Sequence, residues 1–289
     1  MIKKIDQVLR SISPSLHQKV KLKYNDVKKR IHPKLSEAEF KEILTNRLQI
    51  KSGDIVFIHS SMRSLYLNFR KDRILPILKE TVGDEGTLLF PCWQFNTRAE
   101  DFINSHNPVF DFKKSPSAMG KLSDELRFDP NSFRSFHPTN SVVAVGKFAE
   151  ELTFDHQDDI YPCGEKSPFF KMKKYGAKII GIGVTVDNLT FVHSVEDTID
   201  YFPIKTRMDK VFGCICIDAQ GKSVKVNTLV ASEAIQNRDV FGFFKNYIKQ
   251  SEYVFFKKKG MNFFSVDSGQ LYNEMCELAK VGKTIYKNS

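Results

Sequence analysis

AKIIGIGVTV (residues 177–186), DNL (187–189) and TFVHSVEDTIDYF (190–202) follow one another without interruption. The first segment reads as a strand, the second as a turn and the third as a helix. This strand–turn–helix unit decides the fold class if it recurs, and it does. Upstream, GDIVFIHS (53–60) pairs a Gly-Asp turn with a short apolar run suited to a buried strand. RILPILKETVG (73–83) reads as a helix despite Pro76, and GTLLFPCW (86–93) as the next strand. MGKLSDELRF is helical, SVVAVGK (141–147) a strand, FAEELTF a short helix, and SPFFKMKKYG a helix ending at Gly176.

Downstream the pattern changes. FGCICID and KSVKVNTL flank Ala219-Gln220-Gly221, which predicts a hairpin, and YVFFKKKGMNFFSVD predicts a second one. SGQLYNEMCELAKV closes the chain as a helix. Alternating strands and helices interrupted by β-rich segments argue for an α/β fold with a mixed sheet. At the other end, LSEAEFKEILTNRLQI (35–50) opens with Ser36 and carries Glu39 three residues on, the signature of a capping box. Residues 1–35 are lysine-rich, punctuated by Pro14 and Pro33, and read as a basic helical extension ahead of a single domain over 36–289.

The 289 residues are 41% apolar, enough for a substantial core, and the 25 phenylalanines are spread along the chain as core and pocket lining. No apolar run approaches the ~20 residues of a membrane span. The first residues lack an apolar signal-peptide region, and five cysteines without a C-x-x-C pair suit reduced thiols, so the expectation is a cytoplasmic protein. A formal charge of +10 points either to solvated lysine faces or to an anionic partner. P-loop, dinucleotide-binding, H-E-x-x-H and G-x-S-x-G signatures are all missing.

Among seven histidines, His17, His32, His106 and His156 sit in polar surroundings and read as surface residues. His59 ends a strand, His137 lies in RSFHPTNS, and His193 lies in TFVHSVED. For His193 a structural reading, a histidine packed on an amphipathic helix, competes with a chemical one. Thr190 is placed to cap the helix, which would make His193 its third residue. Glu196 then neighbours His193 on the helix face, steadies one tautomer, and leaves the other ring nitrogen to accept a proton. The helix start disfavours an imidazolium and the carboxylate favours it, a balance suited to a general base. No third ligand at a telling spacing supports a metal.

Together GDIVFIHSSMRSL, GTLLFP, SPSAMGKLSDELRFDPNSFRSFHPTNSVVAVGKFAEELT and PCGEKSPFFKMKKYGAKIIGIGVTVDNLTFVHSVED resemble the aminoglycoside 3-N-acetyltransferase family, over roughly residues 36–280. The resemblance implies that family's own α/β fold, a mixed central sheet with flanking helices, and acetyl-CoA-dependent transfer of an acyl group to a primary amine without a metal. It also implies that Thr190, His193 and Glu196 form the catalytic stretch. Ser60, Ser61 and Met62, with Ser135, His137 and Ser141, are then expected to line the coenzyme and acyl site. Backbone N–H groups near Ser61 and Met62, or the Ser141 hydroxyl, are the expected oxyanion donors.

The acceptor is the open point. Aminoglycosides are polycations and this chain is basic. The expectation is therefore an amino sugar that is itself anionic, such as a nucleotide-linked amino sugar for a surface polysaccharide. An aminoglycoside, with antibiotic resistance as the outcome, is the alternative, and a non-catalytic basic binding module is a second one. Coenzyme A and a small amine are the expected partners. Nucleic acid is not, and a homo-oligomer is left open.

Overall fold

The computed structural model describes residues 31–105 and 109–287. The expected basic extension therefore lies outside the described residues up to residue 30. Leu35, at its end, is fully buried, and its N–H donates to the Tyr66 carbonyl at 2.8 Å. The predicted capping box forms at α1 (Glu37–Glu42): Ser36 Oγ accepts from Glu39 N and Glu39 Oε2 accepts from Ser36 N. The helix then widens into a π turn over Ile43–Arg47, where Leu48 N donates to Ile43 O.

Seven strands build the main sheet: β1 (Ile55–Ser60), β2 (Thr87–Pro91), β4 (Ser132–Arg134), β5 (Val142–Gly146), β6 (Lys178–Ile182), β9 (Tyr253–Lys258) and β10 (Met261–Asp267). Their order is β4-β5-β2-β1-β6-β10-β9. β1 lies in the middle and is parallel to both β2 and β6, while the outer pairings are antiparallel. The three parallel strands are the ones whose residues are buried almost throughout, as strands covered on both faces must be. Three further strands form a separate sheet in the order β3-β7-β8, from β3 (Phe110–Asp111), β7 (Arg207–Ile217) and β8 (Ser223–Ala231). Both predicted hairpins are present. The short strands β3 and β4 carry no alternation of their own and exist only through their partners.

The pleat of β1 sorts its side chains onto two cores. Val56 and Ile58 join one with α1, α2 (Ile74–Val82) and α4 (Lys121–Leu126). Ile55 and Phe57 join the other, which contains Phe191, Val192 and Val195. With a period of two, His59 follows Phe57 onto that second face, and the two rings lie 5.0 Å apart. Gly181 of β6 pairs with both His59 and Phe264. A Cβ there would stand 2.1 Å from the Phe264 ring, so glycine makes room for the aromatic beside the strand end.

Candidate active site

The 187–198 segment enters the site through two 3₁₀ turns, Val186–Asn188 and Thr190–Val192, before α7 (His193–Thr198). The remaining α-helices among the described residues are α3 (Ala99–Asn104), α5 (Ala149–Thr153), α6 (Pro168–Lys171), α8 (Val240–Tyr247) and α9 (Ser268–Lys280). The expected cap is corrected here. Val192 occupies the N-cap position without a side-chain bond, His193 is the first helical residue, and the Thr190 hydroxyl only approaches Asn188 O at 3.5 Å. The 3₁₀ turn satisfies the helix start instead, and Thr190 lines the cavity.

The spacing of His193 and Glu196 does what three-residue spacing on a helix does. Nδ1 of His193 lies 2.9 Å from Glu196 Oε2. The other oxygen, Oε1, accepts from the Tyr286 hydroxyl at 2.6 Å. The Glu196 side chain is 0% exposed, whereas that of His193 is 12% exposed. Burial would raise the Glu196 carboxyl, but His193, Arg207 and the Tyr286 hydroxyl outweigh it and hold it below the usual carboxylate range. Burial and the Glu196 charge together raise the Tyr286 phenol. An ionised Glu196 can only accept, so it assigns the proton to Nδ1 and leaves Nε2 with its lone pair.

Beside Glu196, Asp197 is held by both prongs of Arg207, at 2.6 Å each, and accepts from Cys163 N at 2.9 Å. That two-pronged pair raises the Arg207 pKa against the pull of burial, and it ties the start of β7 to α7.

His193 opens onto a cavity of about 720 Å³. His59 and Ser60 from the end of β1 line it, as do Thr139 and Asn140, residues 97–99, residues 229–232 at the end of β8, and Ile235, Gln236 and Arg238 just after it. Burial pushes His59 down to about 3, so it is neutral, and its Nε2 has no hydrogen-bond partner among the described residues. Arg238 Nη1 stands 3.4 Å from His193 Nε2.

The expected coenzyme-site residues divide. Ser60 lines the cavity. Ser61 and Met62 are half-buried just beyond it; the Ser61 hydroxyl bonds that of Ser64. Its N–H donates to Ile182 O, which removes it as an oxyanion donor. Ser135, His137 and Ser141 are fully buried and do not line the cavity. Ser141 Oγ donates to Ser135 O and accepts from Arg134 Nε, so it too is engaged elsewhere. His137 Nδ1 accepts from the N–H groups of Thr139 and Asn140, the two residues of that turn that do reach the cavity. His156, expected at the surface, is fully buried. It stacks on His137 with centroids 4.3 Å apart and bonds Ser135 Oγ and Pro162 O at 2.9 Å each. Both of its ring nitrogens find a partner inside, which is what makes burial tolerable.

Sequence reasoning missed Tyr286, Arg207, Arg98 and Arg238, none of which stands in a recognisable motif. No group of three or more His, Cys, Asp or Glu that could hold a metal occurs among the described residues, and their five cysteines are free and buried.

An α/β protein with a buried carboxylate steadying a histidine at the mouth of a cleft is the class defined so far. The family model for aminoglycoside 3-N-acetyltransferase matches residues 57–259, and the chain belongs to that family. Aminoglycoside N(3)-acetyltransferase IX of Micromonospora chalcea is 28% identical over 166 residues, covering 53% of this chain and 59% of its own. A type III enzyme of a Salmonella species is also 28% identical over 166 residues, covering 53% and 58%. The matches therefore span less than two thirds of these relatives. The fold is shared over more of the chain. The crystal structure of aminoglycoside acetyltransferase AAC(3)-Xa superposes with a TM-score of 0.73 at 20% identity, over 91% of this chain and 98% of that one. A structure of AAC-IIIb in binary complex with CoASH gives 0.71 at 22% identity, over 89% and 100%.

Proposed function

We propose that the protein transfers an acyl group from acetyl-CoA to a primary amine of an amino sugar, with His193 as general base. The observation that carries this reading is the Tyr286–Glu196–His193 chain, which presents Nε2 at the cavity. An amine is mostly protonated near pH 7 and is then no nucleophile. The ammonium first gives up one proton to solvent; Nε2 then accepts a second from the neutral amine as its nitrogen attacks the thioester carbonyl, the new C–N bond replaces C–S, and that second proton passes on to the departing thiolate. Glu196 stabilises the imidazolium formed on the way. No serine or cysteine makes a hydrogen bond to the His193 ring among the described residues, which favours direct transfer over a covalent acyl-enzyme. The cavity fits the donor's needs: it is large, and the buried Nε2 of His59 is a polar atom in its wall awaiting a partner. Acetyl-CoA itself supplies the activated acyl group.

The names of the relatives favour an aminoglycoside acceptor over the nucleotide-linked amino sugar suggested by charge. Free buried thiols fit a reducing compartment, and no helix among the described residues is long and apolar enough to cross a membrane. The test is release of free thiol from acetyl-CoA across a panel of aminoglycosides and amino sugars. His193→Ala should abolish release while leaving coenzyme binding intact. Equal turnover by the His193→Ala protein would sink the assignment, and binding to anionic surfaces without any thiol release would favour the basic binding module.

A further inference from the structure

We infer that Arg238 is a further catalytic residue, the donor that meets the negative charge developing on the thioester oxygen. This rests on the acyl-transfer reading and deepens it. As the amine nitrogen bonds to the carbonyl carbon, the C=O π pair moves onto oxygen. It returns when the C–S bond breaks and the electrons of that bond leave with sulfur. A donor aimed at the oxygen lowers the barrier to both steps. The donors expected from sequence do not serve. The Ser61 N–H donates to Ile182 O, Ser141 Oγ is engaged by Ser135 O and Arg134, and Met62 does not line the cavity. The N–H groups of Thr139 and Asn140 go to His137 Nδ1.

Arg238 qualifies by position. Nε2 takes a proton from a nitrogen about 3 Å away, and the thioester carbon lies within about 3.5 Å of that nitrogen as attack begins. Nη1 of Arg238 stands 3.4 Å from Nε2, so its guanidinium is already at the reacting centre. No other side chain lining the cavity makes a hydrogen bond to Nε2 among the described residues. The other two cavity arginines are occupied: Arg207 by both oxygens of Asp197, and Arg98 by Glu100 and Glu233. Arg238 makes no ion pair among the described residues.

Its side chain is exposed, but its root is fixed. Arg238 forms an antiparallel bridge with Tyr286, Asp239 N donates to Ile285 O at 2.6 Å, and Lys287 N donates to Asn237 O at 3.0 Å. The same Tyr286 hydroxyl anchors Glu196. One backbone pairing therefore sets both sides of the imidazole, the carboxylate at Nδ1 and the guanidinium at Nε2. A 3.4 Å contact is long for a hydrogen bond. The incoming amine can take Nε2 while the guanidinium, with five N–H donors in one plane, turns to the oxygen beside it.

Thiol release tests this on the panel of aminoglycosides and amino sugars, with wild type, Arg238→Ala and Arg238→Lys. Each protein is given acetyl-CoA and its dithioester, in which sulfur, a weak acceptor, replaces the carbonyl oxygen. Arg238→Ala should lower kcat with acetyl-CoA by about 10²- to 10³-fold, the cost of losing one oxyanion donor. Acetyl-CoA affinity, measured by calorimetry, and the urea midpoint should hold. Arg238→Lys keeps the charge without the planar fork and should fall between the two. With the dithioester the loss should shrink to about tenfold or less, because the donor no longer has a good acceptor. An equal loss with both acyl donors overturns the inference, since the arginine would then act elsewhere than on that atom. An unchanged kcat overturns it too, as does an effect confined to acetyl-CoA affinity, the mark of a residue that grips the coenzyme's phosphates. Wild type that releases no thiol with any acceptor defeats the acyl-transfer reading and this inference together, whereas release indifferent to Arg238 defeats the inference alone.

Discussion

Two histidine centres have opposite fates. His193 stands at the cavity with an ionised partner behind it, and the Tyr286 hydroxyl anchors that partner. His137 and His156 form a stacked pair with no exposure at all, and the polar groups around them are hydroxyls and backbone. Both centres sit among serines and threonines in the sequence. The difference is the presence of a carboxylate, which allows a proton to be received, against a neutral hydrogen-bond network, which only holds a loop. A centre of the first kind moves charge; one of the second keeps Thr139 and Asn140 in place.

The sharpest way to break that contrast is a pair of alanine substitutions. His193→Ala should lower the rate of thiol release by about 10²- to 10⁴-fold, the range for loss of a general base, with little change in the denaturation midpoint. Acid should act instead on the rings that burial holds neutral, the His137–His156 pair and, beside the cavity, His59. Burial lowers His156 to about 3 and His137 well below 6.5, and His59 likewise to about 3. The unfolded chain takes up protons at these sites near pH 6.5, while the folded chain refuses them until far lower. Stability is therefore complete above about pH 6.5 and is lost progressively as pH falls toward 3. Each histidine costs about 1.4 kcal/mol per pH unit in that window, so the three together remove roughly 4 kcal/mol by pH 5.5. Urea titrations between pH 5 and 8 measure this directly, and a flat profile would show that these rings are not held neutral.

His137→Ala should cost about 2–4 kcal/mol, because it leaves the Thr139 and Asn140 N–H groups without their acceptor and opens a void against His156. Its signature is a lowered urea midpoint with turnover retained by the folded fraction, the reverse of His193→Ala. Tyr286→Phe removes one donor from a buried carboxylate and should cost about 1–3 kcal/mol of stability. Turnover should also shift to higher pH as Glu196 becomes easier to protonate. Ser36→Ala, far from either centre, loses one helix cap and should cost about 1 kcal/mol with no change in turnover, the control that calibrates the others.

Much of the fold was legible because local pattern and global role agree. Apolar runs at 55–60, 87–91 and 178–182 could only be buried strands, and the turn residues at 219–221 fix a hairpin. The misreadings have a common cause. Residue type and position alone make Thr190 a cap, but the backbone takes a 3₁₀ turn that satisfies the helix start without it. His156 looked solvent-exposed because its neighbours in the chain are polar, yet Ser135 and Pro162 enclose it. The resemblance points Ser135, His137 and Ser141 toward the coenzyme, whereas the structure shows them buried and off the cavity wall.

What the sequence by itself determined is the alternation of strand and helix and the pairing of His193 with Glu196. Those follow from periods of two and of 3.6 residues that need no distant partner. Only the tertiary structure decided that Tyr286 anchors a carboxylate 90 residues away, that Arg207 grips the neighbouring Asp197, and that three guanidinium groups share one cavity. The physical reason is range. Helix and strand geometry bring near neighbours together automatically, whereas contacts across the chain depend on how every buried element packs at once.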